Sequence, residues 1–189
     1  MPSHDAERWN TRYQNDRRYQ ADPGAREFLR QCEPHLPATG LALDAAMGLG
    51  GNAGYLSQRG LQVIGVDISA VAVQRAKKNY PRLWAVQADL CHFPLPANRF
   101  DLIINFYYLQ RSVWREYPLA LRQGGVLVIE TLTQEMHQIQ ADIPAEYLLA
   151  PGELKQIFSD LQILVYREGW VDEAGPHPRP VASLLAVKA

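Results

Sequence analysis

The chain has 189 residues, is 47% hydrophobic and 21% charged, and carries a formal net charge of −1, an ordinary balance for one domain with a sizeable core. That balance, with no Lys/Arg block interleaved with aromatics, excludes a polyanion binder and argues against nucleic acid as the main partner. The N-terminal "MPSHDAERWN" lacks the apolar centre of a signal peptide, no apolar run would span a bilayer, and Cys32 and Cys91 are too few for a disulfide framework or a zinc site; a cytoplasmic protein with reduced thiols, no metal and no membrane partner is expected.

Taken in chain order, Trp9 and Tyr13 are four apart and share a face of a short N-terminal helix. "AREFLRQC" (25–32) reads as a helix stopped by Pro34. "LALDAA" (41–46) is a short apolar strand, and "NAGYLSQRG" (52–60) a helix ending on Gly60. "LQVIGVD" (61–67) is a second strand, rich in β-branched residues. Ser69 offers an N-cap to "AVAVQRAKKN", which places Lys77 and Lys78 in its last turn, where cations suit the helix dipole. "LWAVQA" (83–88) is a third strand, "DLCHFPLPANR" (89–99) a loop, and "FDLIINF" (100–106) a fourth strand. "YLQRSVWREYPLALRQ" (108–123) reads as a helix that Pro118 breaks or restarts, and Gly124–Gly125 turn the chain into a fifth strand, "VLVIETL" (126–132). Residues 133–150 read as a long surface loop with some helix, "PGELKQIF" (151–158) as a short helix, and "LQILVYRE" (161–168) and "VASLLAVKA" (181–189) as strands with no helix between them.

Alternating strands and helices imply βαβ units; the fold class is α/β, a doubly wound, Rossmann-like seven-stranded sheet, mostly parallel with an antiparallel C-terminal pair. One domain is expected, with 1–38 as an N-terminal helical cap, 39–132 as the cofactor-binding core, and 133–189 completing the sheet and the acceptor side. Ligands bind such sheets beyond the carboxyl ends of the strands. That rule singles out Asp44–Gly51, Asp67, Asp89, Asn105 and Glu130–Thr131.

Gly48, Gly50 and Ala53 fit the dinucleotide fingerprint G-x-G-x-x-G/A. A dinucleotide sets its phosphates over that turn, at the positive end of the next helix, where Asp44 would repel them. S-adenosylmethionine has no phosphate; it carries an ammonium and a sulfonium, which an acid favours. Asp67, ending the second strand, can accept both ribose hydroxyls of either cofactor. Asp89 can accept from an adenine amine, with Ile68 and Leu90 on the two faces of the ring. Three acids at three successive strand ends, the first with a glycine turn, favour S-adenosylmethionine.

"LDAAMGLGGNAGYLSQRGLQVIGVDIS", "VQADL", "FDLIINFYYL" and "LRQGGVLVIET" together resemble the strand-end motifs of class I S-adenosylmethionine-dependent methyltransferases. "GLGGNAGYLSQRG" with Asn52, and the preceding "WNTRY", resemble small methyltransferases of the tellurite-resistance type. The resemblance implies cofactor contacts at Asp44, Ala46, Gly48, Gly50, Asn52, Asp67, Ile68, Asp89, Leu90 and Asn105. Ala46 stands where the family's first glycine is expected, and Met47 replaces a common cysteine.

The segment "NFYYLQR" (105–111) follows strand four, beside the expected methyl position. Tyr107, Tyr108 and Arg111 are therefore assigned to the catalytic, acceptor-shaping role, with Arg111 able to hold an anion. The N-terminal pair Trp9 and Tyr13 covers the cofactor or anchors the N-terminus. His92 reads as a solvated loop histidine; His137, and His177 with Arg179 in "GPHPRP", have no assigned role. The expected reaction is methyl transfer to a small-molecule acceptor by in-line displacement, with no general base required. Two alternatives stay open: an NAD(P)-dependent oxidoreductase using the glycine turn, and a non-catalytic S-adenosylmethionine-binding module.

Overall fold

The computed structural model describes residues 4–21, 24–172 and 178–189. Seven strands form one sheet: β1 (Leu41–Ala45), β2 (Gln62–Asp67), β3 (Trp84–Gln87), β4 (Phe100–Phe106), β5 (Leu121–Leu132), β6 (Gln162–Val171) and β7 (Arg179–Val187). Their spatial order is β3-β2-β1-β4-β5-β7-β6. The first five pair parallel, and β7 lies antiparallel between β5 and β6. The expected mixed sheet is therefore present. The chain leaves β1 toward β3, then returns to place β4 on the other side of β1. The switch point falls between β1 and β4, where open α/β sheets bind ligands.

Burial explains the strand composition. Every residue of β1 is buried, as an inner strand covered on both faces requires. One face packs Leu43, Val66, Ile103 and Ile129 against Trp114, Tyr117 and Phe158. The other packs Ala42, Val63, Leu102 and Val128 against Phe28, Leu29 and Leu56.

Around the sheet lie α1 (His4–Asn15), α2 (Glu27–Gln31), α3 (Gly51–Gln58), α4 (Ala70–Asn79), α5 (Arg111–Trp114), α6 (Tyr117–Ala120) and α7 (Glu153–Ile157). Ser69 caps α4 by accepting from the Ala72 amide at 3.2 Å. The expected helix over 108–123 is corrected to two single-turn pieces. Pro118 has no amide proton and cannot sit inside a helix; it takes the first turn of α6, where none is needed. The chain then enters β5 at Leu121, earlier than expected, with an irregular register across the Gly124–Gly125 turn. Residues 133–150 hold two 3-10 turns, Gln134–Gln138 and Ala145–Tyr147, tied to the sheet by a Thr133–Leu149 bridge.

Helix α1 crosses the sheet's carboxyl edge. At its C-terminal end, Tyr13 packs with Trp9 and Tyr19, its ring centroid 4.9 Å from that of Tyr19. In its middle, Asn10 Oδ1 accepts from Ser69 Oγ at 2.7 Å and from the Val71 amide at 3.3 Å. From α4, Arg75 donates to the Tyr13 and Tyr19 carbonyls, both at 2.9 Å. The N-terminal segment is thus fastened to α4.

Candidate cofactor site

The turn after β1 uses left-handed backbone three times: Ala46 at φ 58°, Gly48 at 57° and Gly50 at 85°. Glycine adopts this region without strain; an L-residue is strained there by about 1–2 kcal/mol. Ala46, at the position where the resemblance implies a glycine, thus adopts a glycine's conformation. Ala46→Gly is expected to stabilise the fold by about 0.5–1 kcal/mol, the strain relieved outweighing the added freedom of the unfolded chain. Denaturant unfolding checks this; a less stable variant would show that the alanine methyl contributes packing that outweighs the strain.

The glycines are small for reasons the sequence did not reveal. A Cβ on Gly48 would lie 2.8 Å from the Tyr13 hydroxyl, and one on Gly50 3.0 Å from Ala76 of α4. Gly54 makes room for the Tyr80 ring in the same way. Gly50 and Gly54 therefore let α3 pack on α4, and Gly48 lets α1 close over the turn.

Asp44 is the centre of the site. It is 1% exposed and accepts the Ala53 amide in the first turn of α3. Its Oδ2 is buried with no partner. Burial, and then the nearby Asp67, push its carboxyl well above the ordinary range. Asp67, 5% exposed, accepts from the Gly48 amide through Oδ2 and the Ser69 amide through Oδ1, both at 2.8 Å. Burial raises it to about 6, against those hydrogen bonds. Two acids are therefore desolvated side by side, with Tyr13 against both; burial and Asp67 hold its hydroxyl neutral.

Asp89 follows β3 and lies near the surface. Burial pushes its carboxyl up, but the Cys91 amide at 2.9 Å and His92 Nδ1 at 3.1 Å outweigh that and hold it below the ordinary range. His92, expected as merely solvated, is thus a partner of Asp89. Leu90 is buried in the core while Ile68 is partly exposed beyond β2.

Several expected contacts are redirected. Asn105 is fully buried; its Oδ1 accepts from Trp114 Nε1 at 2.7 Å and the Tyr117 hydroxyl at 3.0 Å, and its amide donates to the Tyr108 carbonyl. It organises the turn after β4, where a ligand contact was expected. Asn52 accepts the Arg26 amide at 2.8 Å, tying α2 to α3. Arg111, expected to hold an anion, is engaged by Glu153 at 2.5 and 3.0 Å and by the Glu146 and Leu148 carbonyls. A part-buried carboxylate fits its planar fork, so the guanidinium fastens 146–153 to α5.

Tyr107 sits at φ 58°, which breaks the strand's alternation and keeps its ring on the same face as Phe106. Arg26 lies 4.7 Å over that ring, and the hydroxyl is 3.4 Å from Glu130. Glu130, fully buried, is held by Ser183 Oγ at 2.5 Å and Arg167 Nη2 at 3.1 Å. Tyr108 lies on the opposite face, its hydroxyl 3.9 Å from Cys91 Sγ. Glu130 was singled out by its place at the end of the fifth strand, but Arg26 and Arg167 were not read as its neighbours from the sequence. Their only signals were position before the first strand and within the sixth. His137 bonds the Ile143 carbonyl, Arg179 opens β7, and His177 lies outside the described residues.

A shallow depression of about 260 Å³, lined by residues including Ser57, Gln62, Arg82 and Trp84, opens away from these acids. It contains no carboxylate to balance a cationic ligand.

The family profile described as a methyltransferase domain matches residues 43–129, which run from β1 through β5 and include Asp44, Asp67 and Asp89. Residues 43–129 thus match the methyltransferase-domain family. The chain is 30% identical over 139 residues to a probable S-adenosylmethionine-dependent methyltransferase of Mycobacterium tuberculosis, covering 70% of this chain and 49% of that one. It is 34% identical over 107 residues to a malonyl-[acyl-carrier protein] O-methyltransferase of Enterobacter lignolyticus, covering 53% and 43%. It thus spans about half the length of the curated relatives it matches. Among solved structures, a TehB-like S-adenosylmethionine-dependent methyltransferase from Corynebacterium glutamicum has TM-score 0.68 at 21% identity over 98% of both chains. TehB from Haemophilus influenzae has TM-score 0.71 at 18% identity, over 96% of this chain and 67% of that one. The chain thus has TehB-like neighbours in fold. Among the described residues, no helix is long and apolar enough to cross a membrane.

Proposed function

We propose that this chain is an enzyme that transfers the methyl group of S-adenosylmethionine to a small-molecule acceptor. The observation that carries the reading is Asp44 Oδ2, a buried carboxylate oxygen with no partner. A buried acid without a counter-charge is costly, and a cationic ligand removes that cost. The other oxygen argues against a dinucleotide. By accepting the Ala53 amide, the Asp44 carboxylate already takes the anion position at the start of α3 that a pyrophosphate would need.

The ligand fits the residues present. Asp44 would hold its ammonium. Asp67 would take the ribose hydroxyls on the acceptor capacity left beyond two backbone amides. Asp89 would face the adenine amine between Ile68 and Leu90. Ala46, Gly48 and Gly50 would line it with backbone. When bound, S-adenosylmethionine would supply an electrophilic methyl carbon, which an acceptor's lone pair would displace from the sulfonium sulfur. Tyr13 and α1 exclude water above the turn, while Tyr108, at the end of β4, would line the acceptor's approach. Tyr107 would act on the other face, through Arg26. Holding both reactants in a dry site supplies much of the rate, so no general base is assigned. The name of one relative describes O-methylation of malonyl-[acyl-carrier protein], and the TehB-like neighbours fit a tellurite-resistance-type enzyme. The first favours a small acidic acyl group, there carried on a protein, and the second a compact acceptor; a cytoplasmic setting suits the cofactor.

Thermal unfolding with S-adenosylmethionine, S-adenosylhomocysteine and NAD tests the reading. Either adenosyl ligand at a hundred times its dissociation constant is expected to add about 2.7 kcal/mol. A shift with NAD alone would mean an oxidoreductase-type site. Adenosyl binding without methyl transfer across oxyanions, thiols, amines and carboxylates would favour a binding module.

A further inference from the structure

The acceptor side of the cleft carries an arginine that the donor site does not use. Arg8 lies in the first half of α1. Its Nε is buried with no hydrogen-bond partner, while Nη2 pairs at 3.0 Å with Asp5, which is largely exposed. Its guanidinium stands 5.9 Å over the ring of Tyr147. Tyr147 belongs to the turn that Arg111 fastens through the Glu146 and Leu148 carbonyls. Two residues on, Leu149 bridges to Thr133, at the end of β5, and Thr133 Oγ1 is also buried with no partner. Asp5, one turn before Arg8, is close enough to Tyr108 to raise its hydroxyl's pKa alongside burial and Cys91. Helix α1, about 18 Å long, therefore runs from the donor acids at Tyr13 to the acceptor side at Arg8.

Buried polar atoms are normally paired, and a guanidinium edge with an idle donor suits a carboxylate or phosphoryl oxygen. Asp5 is exposed and screened, so it competes weakly. Two tyrosine rings nearby offer apolar surface for the rest of the molecule.

Resting on the methyltransferase reading, we propose that the methyl acceptor is an organic acid. Its anionic group binds Arg8 Nε and its neighbouring Nη. Its body lies against Tyr108 and Tyr147. This separates the two arginines of the acceptor side: Arg111 is structural, and Arg8 recognises the ligand.

Calorimetric titration tests this with benzoate, benzamide, phenyl phosphate and inorganic phosphate as probes, on wild-type protein with and without S-adenosylhomocysteine. Benzoate or phenyl phosphate is expected to bind, at least tenfold more tightly than benzamide. Arg8→Gln should remove that preference and leave S-adenosylhomocysteine affinity and the unfolding midpoint unchanged. Arg8→Lys, which keeps charge but loses the planar fork, should retain part of it. Equal binding of benzoate and benzamide, no binding of any organic anion, or full anion affinity in Arg8→Gln would overturn the proposal. So would inorganic phosphate binding as tightly as phenyl phosphate, which would mean an inorganic oxyanion site. Anion binding that depends on Arg8 in a protein that ignores S-adenosylhomocysteine would leave the anion site standing and sink the methyltransferase reading instead.

Discussion

Asp44→Asn is expected to weaken S-adenosylmethionine binding by roughly 3 kcal/mol, about two orders of magnitude, without destabilising the free protein. The two parts have one cause. In the free chain Asp44 is a fully desolvated acid beside Asp67, with one oxygen unpartnered. Asparagine keeps the shape and the acceptor for the Ala53 amide but removes the like-charge repulsion. Bound ligand reverses the account, because a carboxylate opposite an ammonium is a charge-assisted pair and a carboxamide is not. Calorimetry and denaturant unfolding on the same variant read both parts. Unchanged affinity would mean that the ammonium is held elsewhere; a large loss of stability would mean that Asp44 is structural.

The second large effect is a pH dependence of opposite sign for stability and for binding. Burial raises Asp67 from its ordinary 3.8 to about 6, and raises Asp44 as well. Between about pH 4 and 6 the folded free protein therefore keeps protons that the unfolded chain has released. Stability is highest below the unfolded value and falls as pH rises through that window, by roughly 3 kcal/mol for Asp67 alone. A cationic ligand prefers both acids ionised. Its affinity should rise about tenfold from pH 5 to pH 7, with proton release on binding. Titrations in buffers of different ionisation enthalpy measure that release. Binding independent of pH, or proton uptake, would contradict the pairing of the acids with a cation.

The neighbourhood of Asp44 separates what was legible in the sequence from what was not. Strand positions were legible because inner strands covered on both faces must be apolar, as "LALDA" and "DLIIN" are. A polar residue at such a strand end is conspicuous for the same reason, which is how Asp44, Asp67 and Asp89 could be read. Side-chain direction was not legible. Asn105 looks like a ligand contact by position, yet Trp114 and Tyr117 both need its oxygen. Arg111 looks like an anion hold, yet Glu153, 42 residues later, reaches it first. Tyr107 was expected to share the acceptor role with Tyr108, but its positive φ keeps it on the Phe106 face, while Tyr108 lies on the other. Gly50 was read as an approach for ligand, while its open side is filled by α4. The Arg111 and Gly50 reversals depend on partners distant in sequence, which no local pattern carries; those of Asn105 and Tyr107 depend on the local backbone and packing after β4. Ala46 is the reverse case: its departure from glycine was visible at once, and only the backbone showed that it is strained.

A crystal structure with S-adenosylhomocysteine bound tests the central claim most directly. The account predicts the amino-acid end at the glycine turn, its ammonium paired with Asp44, and both ribose hydroxyls on Asp67. A bound ligand whose ammonium has no contact with Asp44, or whose ribose lies away from Asp67, would contradict it.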